Sequence, residues 1–229
     1  MEGRNIDQQL DLLRDKILLL GGMTEQALQR AMRSLTERDS ELARRVLAED
    51  ESIDLMELEI DRLSIDIIGS QQPAAHDLRF VISVAKITPI LERIADHSTN
   101  IAEAAIVLNS EAVVGSYIDM SMMAEIAAEM LRTALDAFTS EDSDVSRQVI
   151  KRDKEIDRAY NRVFGELIQG MIGNSACVTA AAQLLFVAKH LERIGDYVKD
   201  ICELTVYLRE ASFIKHSQSI HYSEPPSVN

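Results

Sequence analysis

A six-residue acidic motif occurs twice in this chain, at a separation of 100 residues. The first copy, LERIAD, runs from Leu91 to Asp96, and the second, LERIGD, runs from Leu191 to Asp196. Each copy lies in a segment of helical periodicity, where residues four apart share one face, so its Glu and Asp project from the same side. Paired carboxylates are ligands that hard cations prefer. The two motifs therefore predict a helical scaffold that presents two acidic faces.

The helix before the first motif carries a second acidic pair, Asp50 and Asp54. In an antiparallel hairpin, two residues lie level when they are equally far from the bend. Asp54 and Glu92 are equally far from Pro73, where Gly, Ser and Pro predict a turn. Asp50 and Asp96 are centred on the same residue. We therefore expect the four carboxylates of the first half to lie at one level across two helices.

The second half repeats this arrangement. Asp157 and Glu192 are equally far from the Asn174–Ser175 bond, which lies in the next predicted turn. Asp153 and Asp196 are centred on the same bond. Because both halves carry these acidic pairs, we expect two sites or none.

Four neighbouring carboxylates repel one another unless they are protonated or bridged by cations. Oxygen-rich surroundings suit Mg, Ca, Mn or ferric iron, whereas zinc is less natural because few His and Cys residues are nearby. The competing interpretation is a solvated face whose acids pair with Arg44, Arg93 and Arg193. Spacing alone does not decide between metal clusters and ion pairs.

Hydrophobic periodicity predicts an all-α protein of two tandem three-helix bundles, six helices in all. Positions 36–54 resemble positions 139–157 at a shift of 103, and the motif helices match at a shift of 100. Gly21-Gly22 either admits a neighbouring helix or is simply tolerated, and Pro89 predicts a kink. The expected domains are a first bundle at 1–113, a second at 114–212 and a flexible C-terminal tail at 213–229. The expected helices are 8–37, one from the Asp39–Ser40 cap to 68, 74–109, 119–138, 144–171 and 176–210.

The amino-acid composition excludes several classes of function. The formal net charge of −14 argues against a nucleic-acid binder, because such proteins neutralise phosphates with Lys and Arg. Cys177 and Cys202 are the two cysteines, which predicts no disulfide scaffold and a reducing, cytoplasmic location. No apolar stretch reaches the roughly 20 residues that span a bilayer, so we expect no direct membrane insertion.

The sequence offers no catalytic set, and we expect a protein that is not an enzyme. Its five His residues lack partners at catalytic spacing, and no glycine-rich phosphate loop is present. The alternative is a di-metal carboxylate helical-bundle enzyme or a metal-storage protein. That class carries Glu-x-x-His in a bundle core, which neither motif contains.

Further segments accompany the two motifs: GGM at 21–23, DESID at 50–54, QPAAHDLR at 72–79 and ICE at 201–203. This ordered set in a doubled chain resembles the PhoU family of bacterial phosphate-signalling proteins, and the likeness extends to about Glu210. The resemblance implies two three-helix bundles whose E/D-xxx-D motifs bind metal ions, including iron clusters, with Mg, Mn, Ca or Zn as alternatives. Carried over by position, the metal ligands are Asp50, Asp54, Glu92, Asp96, Asn100, Asp153, Asp157, Glu192, Asp196 and Asp200.

The resemblance also implies a function. Members restrain phosphate uptake and the phosphate-starvation response through contacts with the phosphate ABC transporter, at its ATPase, and with a sensor histidine kinase. We therefore expect a cytoplasmic adaptor that forms a homodimer. Two departures from the family pattern are visible: Ala95 replaces the usual Gly, and Asn100 stands where the second copy has Asp200, so we expect the first cluster to be weaker or smaller.

Overall fold

The computed structural model describes residues 3–111, 118–212 and 214. Within these ranges the chain forms six α-helices and one short 3-10 turn, and no strand, which confirms the all-α prediction. The predicted boundary at 113/114 lies outside the described residues, as does the predicted tail apart from Ile214. The elements are α1 (Gly3–Thr36), α2 (Ser40–Gln71), α3 (Ala75–Ser110), α4 (Ile118–Ser140), α5 (Ser143–Gly173), the 3-10 turn Ser175–Cys177 and α6 (Val178–Glu210).

The two halves start their second helices in the same way. Asp39 caps α2, and its carboxylate accepts hydrogen bonds from the backbone amides two and three residues ahead. Asp142 caps α5 with the same pair of bonds. The residues before the caps, Arg38 and Glu141, are both left-handed, with φ of 56° and 54°. These caps satisfy amides that a helix start leaves without partners, so the predicted turns are confirmed at the level of hydrogen bonds.

The helices pack as two groups of three that share an interface. Helices α1, α2 and α3 contact one another, as do α4, α5 and α6, while α3 packs on α6 and α1 on α4. The apolar positions of both motifs are fully buried: Leu91 and Ile94 in α3, and Leu191 and Ile194 in α6. The burial of these apolar positions places the acids of each motif on the outer side of the helix. Helix α3 continues through Pro89 without a break.

Polar contacts join the two bundles along α3 and α6. His97 and His190 share a hydrogen bond between their Nδ1 atoms at 2.8 Å, and Tyr197 stacks on His97 at 5.5 Å between ring centroids. Near one end of these helices, Arg79 Nε donates to the carbonyl oxygen of Leu208 at 3.2 Å. The QPAAHDLR segment, which has no counterpart in the second half, therefore contacts the second bundle.

No helix in the described ranges combines the length and the apolar character needed to cross a bilayer. Cys177 and Cys202 are both buried and free.

The contact between α1 and α4 depends on one glycine of the Gly21-Gly22 pair. A Cβ atom at Gly21 would overlap Leu135 Cδ1 on α4, whereas a Cβ at Gly22 would meet nothing within 4 Å. Leu135 is itself buried. Gly21 therefore permits the close approach of the two bundles, and Gly22 is tolerated.

Replacing the two glycines in turn separates these roles. Gly21→Ala should lower the free energy of unfolding by about 1–3 kcal/mol, because Leu135 must move within a packed interface. Gly22→Ala is the matched control and should raise it by about 0.5–1 kcal/mol through helix propensity. Urea denaturation measures both values, and equal stability of the two variants would contradict the close-approach role of Gly21.

Candidate functional site

Five carboxylates from α2 and α3 form what we call the first acidic cluster. Electrostatic coupling links Asp50 to Asp54 and Asp96. It also links Glu92 to Asp96, Glu57 and Asp54. The structure thus brings together the four acids expected from the hairpin register. It adds Glu57, which the sequence reasoning missed. The members of the first acidic cluster are Asp50, Asp54, Glu57, Glu92 and Asp96.

The acids of this cluster destabilise one another's charge. The pKa of Glu92 rises from 4.5 to about 7, mainly because the carboxyl is partly buried and next because Asp96, Glu57 and Asp54 repel its charge. Burial, followed by the charges of Asp54 and Asp96, also raises the pKa of Asp50. Within the described ranges, the salt bridges that Lys and Arg of the first half form go to other acids, namely Asp11, Glu37, Glu41, Glu49 and Glu59. Among the described residues, the first cluster therefore carries an excess of negative charge, of which Arg93 offsets a small part at Glu57.

The arginine alternative is not supported in the first half. Arg44 pairs with Glu41 on its own helix and not with the cluster. Arg93 is exposed. Burial and the charge of Asp61 chiefly raise the pKa of Glu57, and Arg93 makes the smallest contribution, which lowers it.

The second acidic cluster consists of Asp153, Asp157, Glu192 and Asp196 on α5 and α6, and it contains a lysine. Lys199 Nζ donates to Asp153 Oδ2 at 2.6 Å and to Asp196 Oδ1 at 2.7 Å. Asp153 is buried, with 4% of its surface exposed. The ammonium group thus joins the two helices through a pair of charge-assisted hydrogen bonds.

Two more cations surround Glu192 and Asp196. Lys189 Nζ lies 2.7 Å from Glu192 Oε2. Arg193 Nη1 lies 3.5 Å from Asp196 Oδ2, and its Nε lies 3.9 Å from Glu192 Oε2. The ion-pair interpretation therefore holds for the second half, although lysines contribute most of the pairing.

The second cluster keeps Lys199 in its protonated, charged form. Burial lowers the pKa of Lys199, but its hydrogen bonds to Asp153 and Asp196 outweigh that effect and leave the pKa raised. Burial raises the pKa of Asp153, against the lowering effect of the same ammonium group. The lysine thus stays charged between two carboxylates near neutral pH.

The two clusters differ because single positions differ between the repeats. Lys199 corresponds to Thr99, whose hydroxyl donates to the carbonyl oxygen of Asp96 at 2.8 Å. Glu57 corresponds to Tyr160, and Lys189 Nζ lies 5.3 Å from the centre of that tyrosine ring. Aligning the two halves at shifts of 100 and 103 displays both exchanges, so this signal was present in the sequence.

Gly195 gives the second cluster its close packing. A Cβ atom at this position would lie 2.8 Å from Asp153 Oδ1 and 2.9 Å from Ile156 Cδ1. The first copy has Ala95 there, which is fully buried. Since the glycine leaves room for Asp153, the difference between LERIAD and LERIGD affects the position of a carboxylate.

The remaining candidate ligands lie one turn further on. Asn100 is exposed, and its amide donates to the backbone oxygen of Asp96 at 2.7 Å. Asp200 is half-buried on α6. Their role as metal ligands stays a prediction.

Metal-binding geometry is not preformed. Across residues 3–111, 118–212 and 214, no group of three or more His, Cys, Asp or Glu side chains converges enough to hold a metal ion. The donor chemistry of the first cluster nevertheless suits a hard cation, because it consists of oxygen ligands without a paired base. The second cluster fits a metal ion less well, because Lys199 already takes one oxygen from each of two carboxylates.

The His97–His190 pair was not expected from the sequence. Burial, the neighbouring His190 and Arg193 lower the pKa of His97 to about 4, and burial lowers the pKa of His190. Both rings are therefore neutral at pH 7 and act as an uncharged contact between the bundles. Their pairing is a long-range contact between α3 and α6 that no local spacing indicates.

Comparison with known proteins agrees with the repeat. The family model described as PhoU domain matches residues 17–105 and again residues 120–205. A relative from Zymomonas mobilis, named phosphate-specific transport system accessory protein PhoU homolog, is 36% identical over 201 residues, which are 88% of this chain and 85% of that protein.

Two solved structures have the same fold over most of their length. The crystal structure of PhoU from Pseudomonas aeruginosa matches with a TM-score of 0.87 and 33% identity, covering 90% of this chain and 99% of that one. The phosphate transport system regulatory protein PhoU from Streptococcus pneumoniae matches with a TM-score of 0.85 and 28% identity, covering 91% and 99%.

The raised pKa of Glu92 predicts a pH dependence of stability. Between pH 4.5 and about 7 the folded state holds a proton that the unfolded state has lost, so the free energy of unfolding falls as pH rises through this window. Glu92→Gln should flatten that fall and stabilise the protein by about 1–2 kcal/mol at pH 8, after allowance for partial exposure.

Denaturation at a series of pH values measures this effect. Glu103→Gln makes the same change at an exposed position of the same helix and should keep the wild-type profile. A Glu92→Gln stability profile that parallels the wild-type profile would contradict the raised pKa of Glu92.

Proposed function

Because the chain belongs to the PhoU family, we propose that it regulates phosphate uptake and restrains the phosphate-starvation response. The observation that carries this proposal is the doubled match of the PhoU domain, which covers both halves of the chain. The relatives are named as accessory or regulatory proteins of phosphate transport. The chain is accordingly a regulatory protein and not an enzyme.

The proposed mode of action is that of a cytoplasmic adaptor. In this proposal the protein contacts the ATPase of the phosphate ABC transporter and a sensor histidine kinase, and it acts as a homodimer. The net charge of −14 supports association with basic protein surfaces in preference to nucleic acid.

We further propose that the first acidic cluster is a cation site. Asp50, Asp54, Glu92 and Asp96 are the ligands expected from the sequence, Glu57 joins them in the structure, and Asn100 lies one turn away. A bound cation would neutralise this charge and link α2 to α3. Hard cations fit these oxygen ligands best, namely Mg, Mn, Ca or ferric iron, including iron clusters, and Zn fits less well.

The second cluster, with Asp200 nearby, remains a weaker candidate for metal. An ion there would compete with Lys199 for Asp153 and Asp196. The alternative of a di-metal enzyme or metal-storage protein lacks support, because such sites gather carboxylates and histidines in a bundle core and the first cluster lies at the surface without a histidine ligand.

Deletion of the gene in the bacterium that encodes it tests the regulatory proposal. At high phosphate, the deletion strain should take up more phosphate and express its starvation genes, because the restraint is gone. Transcript levels and radiolabelled phosphate uptake measure the outcome. Complementation with the wild-type gene is the control, and unchanged expression in the deletion strain would contradict the proposal.

A further inference from the structure

The ammonium group of Lys199 lies between α5 and α6 and contacts one carboxylate from each helix. It lies 2.6 Å from Asp153 Oδ2 and 2.7 Å from Asp196 Oδ1. These carboxylates belong to different helices, so the lysine links α5 to α6. Lys199 is half-buried, and Asp153 is almost fully buried.

The positions of Asp196 and Gly195 on α6 bring the Lys199 ammonium group close to Asp153. Lys199 lies one turn after Asp196 on α6, which puts both side chains on one face. Gly195 lacks the Cβ atom that would lie 2.8 Å from Asp153 Oδ1. The absence of that atom lets the carboxylate of α5 approach α6, where the lysine meets it.

The charge balance of the two clusters therefore differs. In the second cluster Lys199, Lys189 and Arg193 accompany the acids, so an incoming divalent cation would meet positive charge at close range. In the first cluster the corresponding residue to Lys199 is Thr99, and Glu57 adds a further negative charge. The same helical frame thus presents one cluster with a hydrogen-bonded counter-ion and, among the described residues, one without.

We infer that Lys199 is the built-in counter-ion of the second acidic cluster and keeps divalent cations out of it. The repeated motif then has two different uses, a permanent cross-link between α5 and α6 and an open acidic site between α2 and α3. This inference rests on the proposal that the acidic motifs of this chain are cation sites, but its test addresses the second cluster separately.

The test is Mn²⁺ binding to the full chain. Equilibrium dialysis and the paramagnetic resonance signal of free Mn²⁺ both measure it. Lys199→Thr copies the residue of the first repeat and should bind one more Mn²⁺ per chain than the wild type. Adding Asp196→Asn to that variant should remove the gained ion. Lys199→Met removes the same charge with a side chain of similar length and should also gain an ion.

Two further variants complete the design. Lys151→Thr makes the same substitution at an exposed position of α5 and should leave Mn²⁺ binding unchanged. Thr99→Lys introduces the counter-ion into the first repeat and should weaken the Mn²⁺ affinity of the first cluster by about tenfold or more.

The outcomes separate this inference from the other proposals. A gained ion in Lys199→Thr supports the inference even if the first cluster binds nothing and even if deletion of the gene has no effect on phosphate uptake. No gain in either Lys199 variant overturns it. Wild-type Mn²⁺ binding that Asp196→Asn abolishes also overturns it, and that measurement requires no Lys199 variant to fold.

Discussion

Repulsion between carboxylates that neighbouring helices hold side by side is the constraint on which this structure depends. Leu91, Ile94, Leu191 and Ile194 are buried on the opposite side of the same helices, so the acids cannot separate without exposing the core. Burial raises the pKa of both Glu92 and Asp153. The favourable packing of the apolar seam therefore maintains an unfavourable charge arrangement at the surface, and each half must compensate for it.

The two halves compensate differently within one backbone design. In the second half, Lys199 supplies a positive charge from the chain, and Gly195 leaves room for the carboxylate that it contacts. In the first half, no lysine or arginine among the described residues forms a salt bridge to the cluster, and the pKa of Glu92 rises to about 7. In our proposal, the cluster of the first half responds to pH and to cations, whereas the lysine-linked cluster of the second half is a fixed part of the fold. A protein arranged in this way could change its surface charge without losing its architecture.

Much of this organisation follows from the sequence, because it depends on local signals. The cap at Asp39 and the helical periodicity indicated six helices, and the distance of each acid from the turns indicated which residues are neighbours. Helix α2 runs three residues past the predicted end, since Gly69 stays helical and Gln72 provides the left-handed end, with φ of 47°. The rest was missed for identifiable reasons. Glu57 and Lys199 join their clusters through neighbours three residues apart on the helix, whereas the hairpin register compared only acidic pairs spaced four apart. The His97–His190 contact depends on how the two bundles dock, which no motif within either bundle specifies.

The central claim is that the same acidic motif is open to cations in one repeat and closed by a lysine in the other. Anomalous diffraction from crystals of the wild-type protein grown with Mn²⁺ tests it most directly. The account predicts an anomalous peak among Asp50, Asp54, Glu57, Glu92 and Asp96, with Lys199 still hydrogen-bonded to Asp153 and Asp196. A peak at the second cluster with Lys199 displaced, or no peak at the first, would contradict it.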